Sequence, residues 1–218
     1  MSVSVHEDVA VGQLTNDEAD DFFSTVVGKP ARLVRTSPTD PRYVSEAFRR
    51  QGYVNRQPFA DGYPILLTNE ASLRSLHYRN GLMHGSVPMA RFRPNISVDG
   101  IGTTFHEDTW QEITIGDDPT RGVALAIVSP CKRCRVPNIE QSGERAGQKS
   151  EINVLKDFLS SRQGTDSTDP NRRKGRFFGQ NALISYGAVG KIISIGDAVQ
   201  IVATGEPNAD ISSSDVSQ

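Results

Sequence analysis

The chain has 218 residues, 36% of them hydrophobic, and a formal net charge of −2. This length allows one domain with a buried core, or one domain with a small companion. The near-neutral charge gives no reason to expect nucleic acid or an anionic membrane as the main partner. No apolar run approaches the roughly 20 residues of a membrane span, and the start of the chain lacks the pattern of a secretory signal. We therefore expect a soluble, intracellular protein of the cytoplasm.

Both ends of the chain are expected to be disordered. Residues 1–14 show little periodicity, and residues 205–218 are small, polar and acidic, a composition that cannot bury a core. The polar segment 163–176 is rich in turn residues and is expected to be mobile. The ordered part is predicted to run from about Thr15 to about Thr204.

Three helices are predicted from capping residues and apolar spacing. The first lies within residues 15–28, where Thr15 opens a capping-box spacing. The second lies within residues 68–81 and is capped by one of its first two residues. The third lies within residues 150–164, is capped by Ser150 and has its apolar residues on one face.

The other apolar segments are predicted to be short strands separated by Gly- and Asp-rich breaks. They are residues 95–100, 110–116, 123–130, 176–187 and 190–204, the last interrupted by a tight turn at Gly196-Asp197. Short strands at this spacing favour a closed or half-closed barrel with helices outside it over a parallel βαβ sheet. The predicted fold class is mainly β (α+β).

Both cysteines lie in the segment SPCKRCRVPN, residues 129–138, three positions apart with two positive charges between them. A structural zinc site needs four ligands, and the sequence has no second cysteine pair or close histidine pair. Folding would have to bring His84 and His106 to the cysteines. A redox dithiol needs its first cysteine at a helix start, which Pro137 disfavours.

Two further interpretations of the cysteine pair remain. Both residues could be small buried hydrophobic side chains at a strand end. Lys132 and Arg133 favour instead the thiolate form of a neighbouring cysteine. A thiolate among cationic groups suits a soft or high-valent metal held in an anionic complex. The residue pattern alone leaves all four interpretations open.

Six segments, taken in order, resemble the MOSC domain, the molybdenum cofactor domain of amidoxime reducing components and of molybdenum cofactor sulfurases. They are MARFRPNISVDG, FHEDTWQEITIGD, SPCKRCRVPNIEQSGE, INVLKDFLSSR, FFGQNALIS and IISIGDAVQIV. Upstream, FADGYPILLTNEASLRSLHYR resembles the end of a MOSC N-terminal region. The resemblance runs from Asp61 to Val202 and implies a MOSC-type β-barrel with peripheral helices. Residues 15–90 would be a remnant of the N-terminal region and residues 91–204 the barrel domain.

The resemblance also implies a molybdenum cofactor site. The family's thiolate ligand to the metal corresponds to Cys134, which would be both the metal ligand and the catalytic residue. The FRPN motif of the family points to Arg93 and Asn95 as contacts to the pterin or its phosphate. Arg133 is a further expected contact, and Asp108 is expected to orient the cofactor.

Each of these residues also has a plainer interpretation. Arg93 could pair with Glu107 or Asp108 as a structural ion pair. Asn95 could simply end a loop, because Asn after Pro is common in turns. Trp110 is best explained as a packed indole at a strand start. The basic residues 171–176 fit a solvated loop better than a docking site for an acidic electron-transfer partner.

The implied activity is that of an oxidoreductase acting on N-hydroxylated substrates. The net chemistry would be R–NHOH plus two electrons and two protons giving R–NH2 and water. The expected electron donor is a cytochrome b5-like protein or a flavin/iron–sulfur reductase. Pyridoxal phosphate binding is a family-level expectation as well. The alternative is a non-catalytic cofactor-binding or sulfur-carrier module like the sulfurase C-terminal domain, and a barrel that has lost the cofactor is a third possibility.

One part of the family pattern is not recognisable in this sequence. Full-length reductases of the family begin with a strand carrying a basic, small-residue turn and, further along, an arginine, and both help to hold the cofactor. The mitochondrial forms also carry a membrane anchor. We therefore expect fewer phosphate and pterin contacts in this chain than in those proteins.

Overall fold

The computed structural model describes residues 1–5, 8–37, 39, 41–101, 103–118, 121–141, 143–162 and 175–206. The chain divides into two compact units, residues 1–49 with 55–64 and residues 50–54 with 65–218. The expected boundary near residue 90, between a remnant of the N-terminal region and the barrel domain, stays a prediction. The predicted mobile loop, apart from residues 175 and 176, and the predicted tail from residue 207 onwards lie outside the described residues.

The first unit contains a three-stranded antiparallel sheet and one helix. Its elements are β1 (Ser2–Val5), β2 (Asp8–Leu14), α1 (Asp17–Val27) and β3 (Val34–Thr36). The two strands β1 and β2 lie within residues 1–14, which we expected to be disordered. Valine alternates with serine in β1 and with alanine and glycine in β2, and this alternation is too short in each strand to stand out from the sequence.

The first helix forms where the sequence predicts it, with a different cap. The side chain of Asn16, not of Thr15, accepts a hydrogen bond from the N–H of Ala19 at 2.9 Å. The hydroxyl of Thr15 instead donates to the carbonyl of Leu33 at 3.1 Å. Gly28 ends the helix in the left-handed conformation, with φ of 73°.

The second unit is built on a curled six-stranded sheet that forms a half-barrel, and the mainly β fold class is therefore confirmed. Its strands are β4 (Ile65–Asn69), β5 (Ile96–Val98), β6 (Trp110–Ile115), β7 (Val123–Lys132), β8 (Phe177–Ile184) and β9 (Val199–Thr204). Their order across the sheet is β5-β4-β8-β7-β6-β9, and β4 and β5 run parallel whereas the other neighbours run antiparallel.

In the second unit, most predicted strands are confirmed, with one correction and one omission. The prediction of strand before the Gly196-Asp197 turn is wrong, because within residues 190–204 only β9 forms. Ile192 and Ile195 are exposed instead of pairing. The sequence analysis did not predict β4, whose five residues run directly into a helix.

The second unit also contains one α-helix and a distorted helical segment. Helix α2 (Glu70–Arg79) is capped by Asn69, whose Oδ1 accepts from the N–H of Ala71 at 3.0 Å. The third predicted helix is wrong as an α-helix: a π-helical turn, Val154–Phe158, is followed by a 3-10 turn, Ser160–Arg162. This change of winding keeps the apolar face buried and also brings the side chain of Arg162 into the interior. No helix among the described residues is both long enough and apolar enough to cross a membrane.

Apolar clusters cover the sheet and bury its central strands. One cluster packs residues of the sheet itself, including Trp110, Ile113, Leu125 and Ile127. The other joins α2 to the π-helical turn and contains Leu73, Leu76, Phe92, Phe105, Phe158 and Phe178. Strand β7 is buried over most of its length, and its buried stretch ends immediately before Cys131.

Gly179 explains why strand β8 can lie so close to β4. It has a φ of +81°, which favours glycine, and a Cβ atom there would lie 2.8 Å from the carbonyl oxygen of Leu67. The same approach would bring it 2.9 Å from Cγ2 of Thr68. The glycine of the FFGQN segment is therefore required by packing.

Candidate functional site: the cysteine segment and the FRPN segment

The cysteine segment, residues 129–138, lies at the end of β7. Cys131 is the penultimate residue of the strand and is half-buried, whereas Cys134 follows the strand and is exposed. Both are free thiols. The next element is a 3-10 turn, Val136–Asn138, so neither cysteine begins an α-helix as a thioredoxin-like dithiol requires.

A four-ligand zinc site does not form around these cysteines in the described part of the chain. There, no three His, Cys, Asp or Glu side chains come together. The ring of His84 lies 5.5 Å from that of His77, and His106 accepts a hydrogen bond from Nε1 of Trp110 at 3.2 Å. The indole is 1% exposed, which supports a packing role for Trp110.

Arg133 connects the cysteine segment to the FRPN segment, residues 92–95. Its Nη1 donates to Sγ of Cys131 at 3.1 Å, and its Nη2 donates to the carbonyl oxygen of Phe92 at 2.6 Å. The guanidinium carbon lies 5.5 Å from the centre of the Phe92 ring. Nε of Arg133 is buried and has no hydrogen-bond partner among the described residues. One donor is therefore left for a further acceptor.

Arg91, directly before the FRPN segment, makes a second connection to the cysteine segment. Its side chain is 2% exposed, and its Nη1 donates to the carbonyl of Pro137 at 2.8 Å. Its Nη2 donates to Oε1 of Glu140 at 2.7 Å and to Oγ of Ser150 at 2.8 Å. Arg133 precedes Cys134 and binds Phe92, whereas Arg91 binds Pro137, which follows Cys134. These two contacts fix the position of the FRPN segment relative to Cys134.

The FRPN segment contributes the guanidinium of Arg93 and the side-chain amide of Asn95 to the candidate site. Arg93 is exposed, has a left-handed backbone with φ of 55°, and its guanidinium pairs with no acceptor in the described ranges. The interpretation that Arg93 pairs with Glu107 or Asp108 is therefore not supported. The Oδ1 atom of Asn95 accepts from the N–H of Leu66 at 2.8 Å, which leaves its amide NH2 for a ligand.

Asp108 lies in the interior, where both of its oxygens are bound. Oδ2 accepts from Nη2 of Arg162 at 2.7 Å, and Oδ1 accepts from Nε2 of Gln180 at 2.6 Å. The guanidinium carbon of Arg162 lies 4.1 Å from the centre of the Phe105 ring. These contacts join residues 107–110 to the 3-10 turn that contains Arg162 through a fully buried ion pair, and to β8 through Gln180.

Glu107 is a second buried carboxyl beside this ion pair. Its Oε2 accepts from Nδ2 of Asn69 at 3.0 Å and from Oγ of Ser72 at 2.8 Å. Burial, and then the negative charge of Asp108, raise the pKa of Glu107 to about 7, against the opposing effect of the hydrogen bond from Ser72. Glu107 is therefore mainly neutral in the folded protein at pH values below about 7.

Three important residues were missed by the sequence analysis. They are Arg91, Arg162 and Gln180. Each is polar and buried within an apolar surrounding, and such residues are almost always paired. An arginine within an otherwise apolar helical face was the available signal for Arg162, but its partner lies 54 residues away.

This chain is similar in sequence to a known domain family and to several known proteins. The family profile described as "MOSC domain" matches residues 55–200. Mitochondrial amidoxime-reducing component 1 of Mus musculus is 31% identical over 121 residues, which are 56% of this chain and 32% of that protein. Mitochondrial amidoxime reducing component 2 of Rattus norvegicus is 36% identical over 154 residues, 67% of this chain and 42% of that protein. Molybdenum cofactor sulfurase of Oryza sativa subsp. japonica is 26% identical over 157 residues, 67% of this chain and 18% of that protein.

These matches cover only part of each relative. The matched region spans less than half the length of each of these three relatives. The profile, however, covers both the FRPN and the cysteine segments and more than half of the chain. The chain therefore belongs to the MOSC domain family.

Proposed function

We propose that this protein binds the molybdenum cofactor, with the thiolate of Cys134 as the protein's ligand to the metal. The observation that carries the proposal is the position of Cys134: it is an exposed, free thiol in a segment that is held on both sides, by the bond from Arg133 to Phe92 before it and by the bond from Arg91 to Pro137 after it. A soft thiolate is a good ligand for a high-valent metal. Cys131 is a poorer candidate because its sulfur already accepts a hydrogen bond from Arg133.

The polar groups of Arg133 and of the FRPN segment suit a ligand that carries a phosphate and a heterocycle. The guanidinium of Arg93 is exposed and can make forked bonds to a phosphate or to a polar pterin edge. The amide NH2 of Asn95 can donate to a heterocycle. Nε of Arg133 is a buried donor without an acceptor, which is unfavourable unless a ligand supplies one. These residues would hold the cofactor.

The supporting residues would keep this site rigid. We assign Asp108 a positioning role, because both of its oxygens are bound by Arg162 and Gln180. Arg91 fixes the chain after Cys134 through the Pro137 carbonyl. Fixed side chains of this kind keep a metal ligand oriented before the metal binds.

The proposed reaction is the reduction of N-hydroxylated substrates. When bound, the cofactor supplies oxygen-atom transfer together with two-electron redox chemistry. The names of the mouse and rat relatives, amidoxime reducing components, support this substrate class. We propose a cytochrome b5-like or flavin/iron–sulfur protein as the electron donor.

A second candidate is a cofactor-binding or sulfur-carrier module without turnover. It is supported by the relative named molybdenum cofactor sulfurase, which matches over the same share of this chain as the rat protein does. Both candidates use the same residues to hold the cofactor, so the geometry does not separate them.

The deciding experiment measures metal, pterin and activity on one preparation. We expect molybdenum and oxidised, fluorescent pterin in equal amounts, and reduction of benzamidoxime by the protein with a chemical electron donor. Equal metal and pterin without any reduction would favour the non-catalytic module. Protein without molybdenum and pterin, isolated from cells that make the cofactor, would contradict both candidates.

A further inference from the structure

A pair of arginines lies side by side next to the cysteine segment. Lys132 pairs with Phe177 across the antiparallel strands β7 and β8. One step further, the N–H of Arg133 donates to the carbonyl oxygen of Arg176 at 2.7 Å. Arg133 and Arg176 therefore lie opposite each other, and directly opposed residues of an antiparallel pair project from the same face, roughly 5 Å apart at Cβ.

This arrangement places two positive charges together. Like charges opposite each other on one face destabilise a strand pair. Two carboxylates of the second unit already bind other arginines, since Asp108 pairs with Arg162 and Glu140 pairs with Arg91. No carboxylate in the described ranges pairs with Arg133 or Arg176.

Both guanidinium groups also keep a donor without an acceptor. Nε of Arg133 and Nε of Arg176 are each buried and lack a hydrogen-bond partner among the residues that the structure describes. Leaving such donors unpaired away from water is unfavourable. The two side chains as a whole are only half-buried, so that an ion from solvent can reach the guanidinium groups. A bound anion would therefore both neutralise the two charges and accept hydrogen bonds from these donors.

We infer that Arg133 and Arg176 form a binding site for a phosphate-type dianion. Two guanidinium forks match the geometry of a tetrahedral oxyanion, and their two charges balance the charge of about −2 on a phosphate monoester near neutral pH. Because the site adjoins Cys134, the phosphate of the proposed cofactor is one source of this anion, and that choice of source rests on the proposed function. A free phosphate or a phosphorylated small molecule is the other source.

The first test uses the full chain from cells that cannot make the pterin cofactor. Its melting temperature is compared in sodium phosphate and in sodium chloride of equal ionic strength. We expect 10 mM phosphate to raise the Tm by roughly 3 °C for millimolar binding, and Arg176→Gln to remove that increase. Arg121→Gln is the matched control, since the Arg121 side chain is 90% exposed and lies outside the pair. A wild-type Tm that does not respond to phosphate, or an equal response in Arg176→Gln, would overturn the inference.

The second test identifies the source of the anion with chain from cells that make the cofactor. If the cofactor's phosphate occupies the site, added phosphate no longer raises the Tm and Arg176→Gln retains several-fold less pterin. If a separate anion binds, the response to phosphate persists and the pterin content is unchanged. A chain without any pterin would contradict the proposed function while leaving the first test fully valid.

Discussion

Nη2 of Arg133 lies 2.6 Å from the carbonyl oxygen of Phe92, the residue that precedes Arg93. This bond joins the end of β7 to the FRPN segment, so that two parts of the chain separated by 41 residues hold a fixed position relative to each other. Arg91 adds the reciprocal connection to the chain after Cys134. The proposed site therefore depends on the buried Arg91 and the half-buried Arg133, which bind protein atoms, in addition to the exposed Arg93.

Arg133→Lys is expected to weaken this connection. A lysine ammonium is a single point charge and cannot reproduce the fork that reaches both Cys131 and Phe92. We expect a loss of about 2 kcal/mol in the free energy of unfolding and a lower pterin content in the purified protein. Urea unfolding and pterin fluorescence measure the two effects. Arg121→Lys, at an exposed position, is the control, and equal behaviour of the two variants would refute this role for Arg133.

Asp108→Asn is expected to be strongly destabilising. The substitution removes the charge that neutralises Arg162 in the interior, and an uncompensated buried charge destabilises by roughly 3–5 kcal/mol. The control is Asp99→Asn, which removes the partner of Arg74 in an exposed ion pair and should leave the urea midpoint nearly unchanged. If both variants unfold at the same urea concentration, the buried ion pair contributes no more to stability than the exposed one does.

Glu107→Gln is expected to change how stability depends on pH. The folded-state pKa of Glu107, about 7, lies above the ordinary value of 4.5, so its neutral form favours folding at low pH. That contribution is complete below pH 4.5 and is lost as the pH rises through 7. The glutamine cannot ionise and keeps an oxygen that can accept from Asn69 and Ser72. Its stability relative to wild type should therefore increase with pH, by on the order of 2 kcal/mol.

Urea midpoints of both proteins at pH 5 and pH 8.5 test this expectation. Burial also lowers the pKa of His77, which makes the folded protein less stable as the pH falls below about 6.5. This effect is the same in wild type and variant and cancels in the difference. Parallel pH profiles for the two proteins would show that Glu107 does not titrate in this range.

Gly179→Ala is expected to disturb the contact between β8 and β4. The added methyl group would lie 2.8 Å from the carbonyl oxygen of Leu67, at a φ of +81° that alanine rarely adopts. We expect a loss of about 2 kcal/mol or more in the free energy of unfolding. Gly187→Ala is the control, since a Cβ there meets no atom within 4 Å. Similar melting temperatures for the two variants would contradict the packing argument.

Local signals in the sequence account for much of the second unit. Apolar segments between Gly- and Asp-rich breaks identified most strands, including β6 and β7, and a capping residue with a downstream glycine identified α2. The same signals did not reveal β1 and β2, because each shows only a few alternating residues. They also gave an α-helix for residues 150–164, where burial of Arg162 beside Asp108 goes with a π-helical turn.

The candidate site was predictable only in part for a related reason. Cys134 and Arg93 stand in segments whose residue types already suggest a ligand site. The contacts of Arg91, Arg133 and Asp108, however, span 41 to 72 residues of sequence, and spacing within a single sequence does not disclose such pairs. Family resemblance indicated which segments matter, and the folded chain indicates which side chains bind each other.

The central claim is that one sulfur of this chain, that of Cys134, is a ligand to molybdenum. X-ray absorption at the molybdenum edge counts the sulfur neighbours of the metal in wild type, Cys134→Ser and Cys131→Ser. We predict one fewer sulfur neighbour in Cys134→Ser and an unchanged count in Cys131→Ser. An unchanged count in Cys134→Ser, or the loss of a sulfur in Cys131→Ser, would contradict the account.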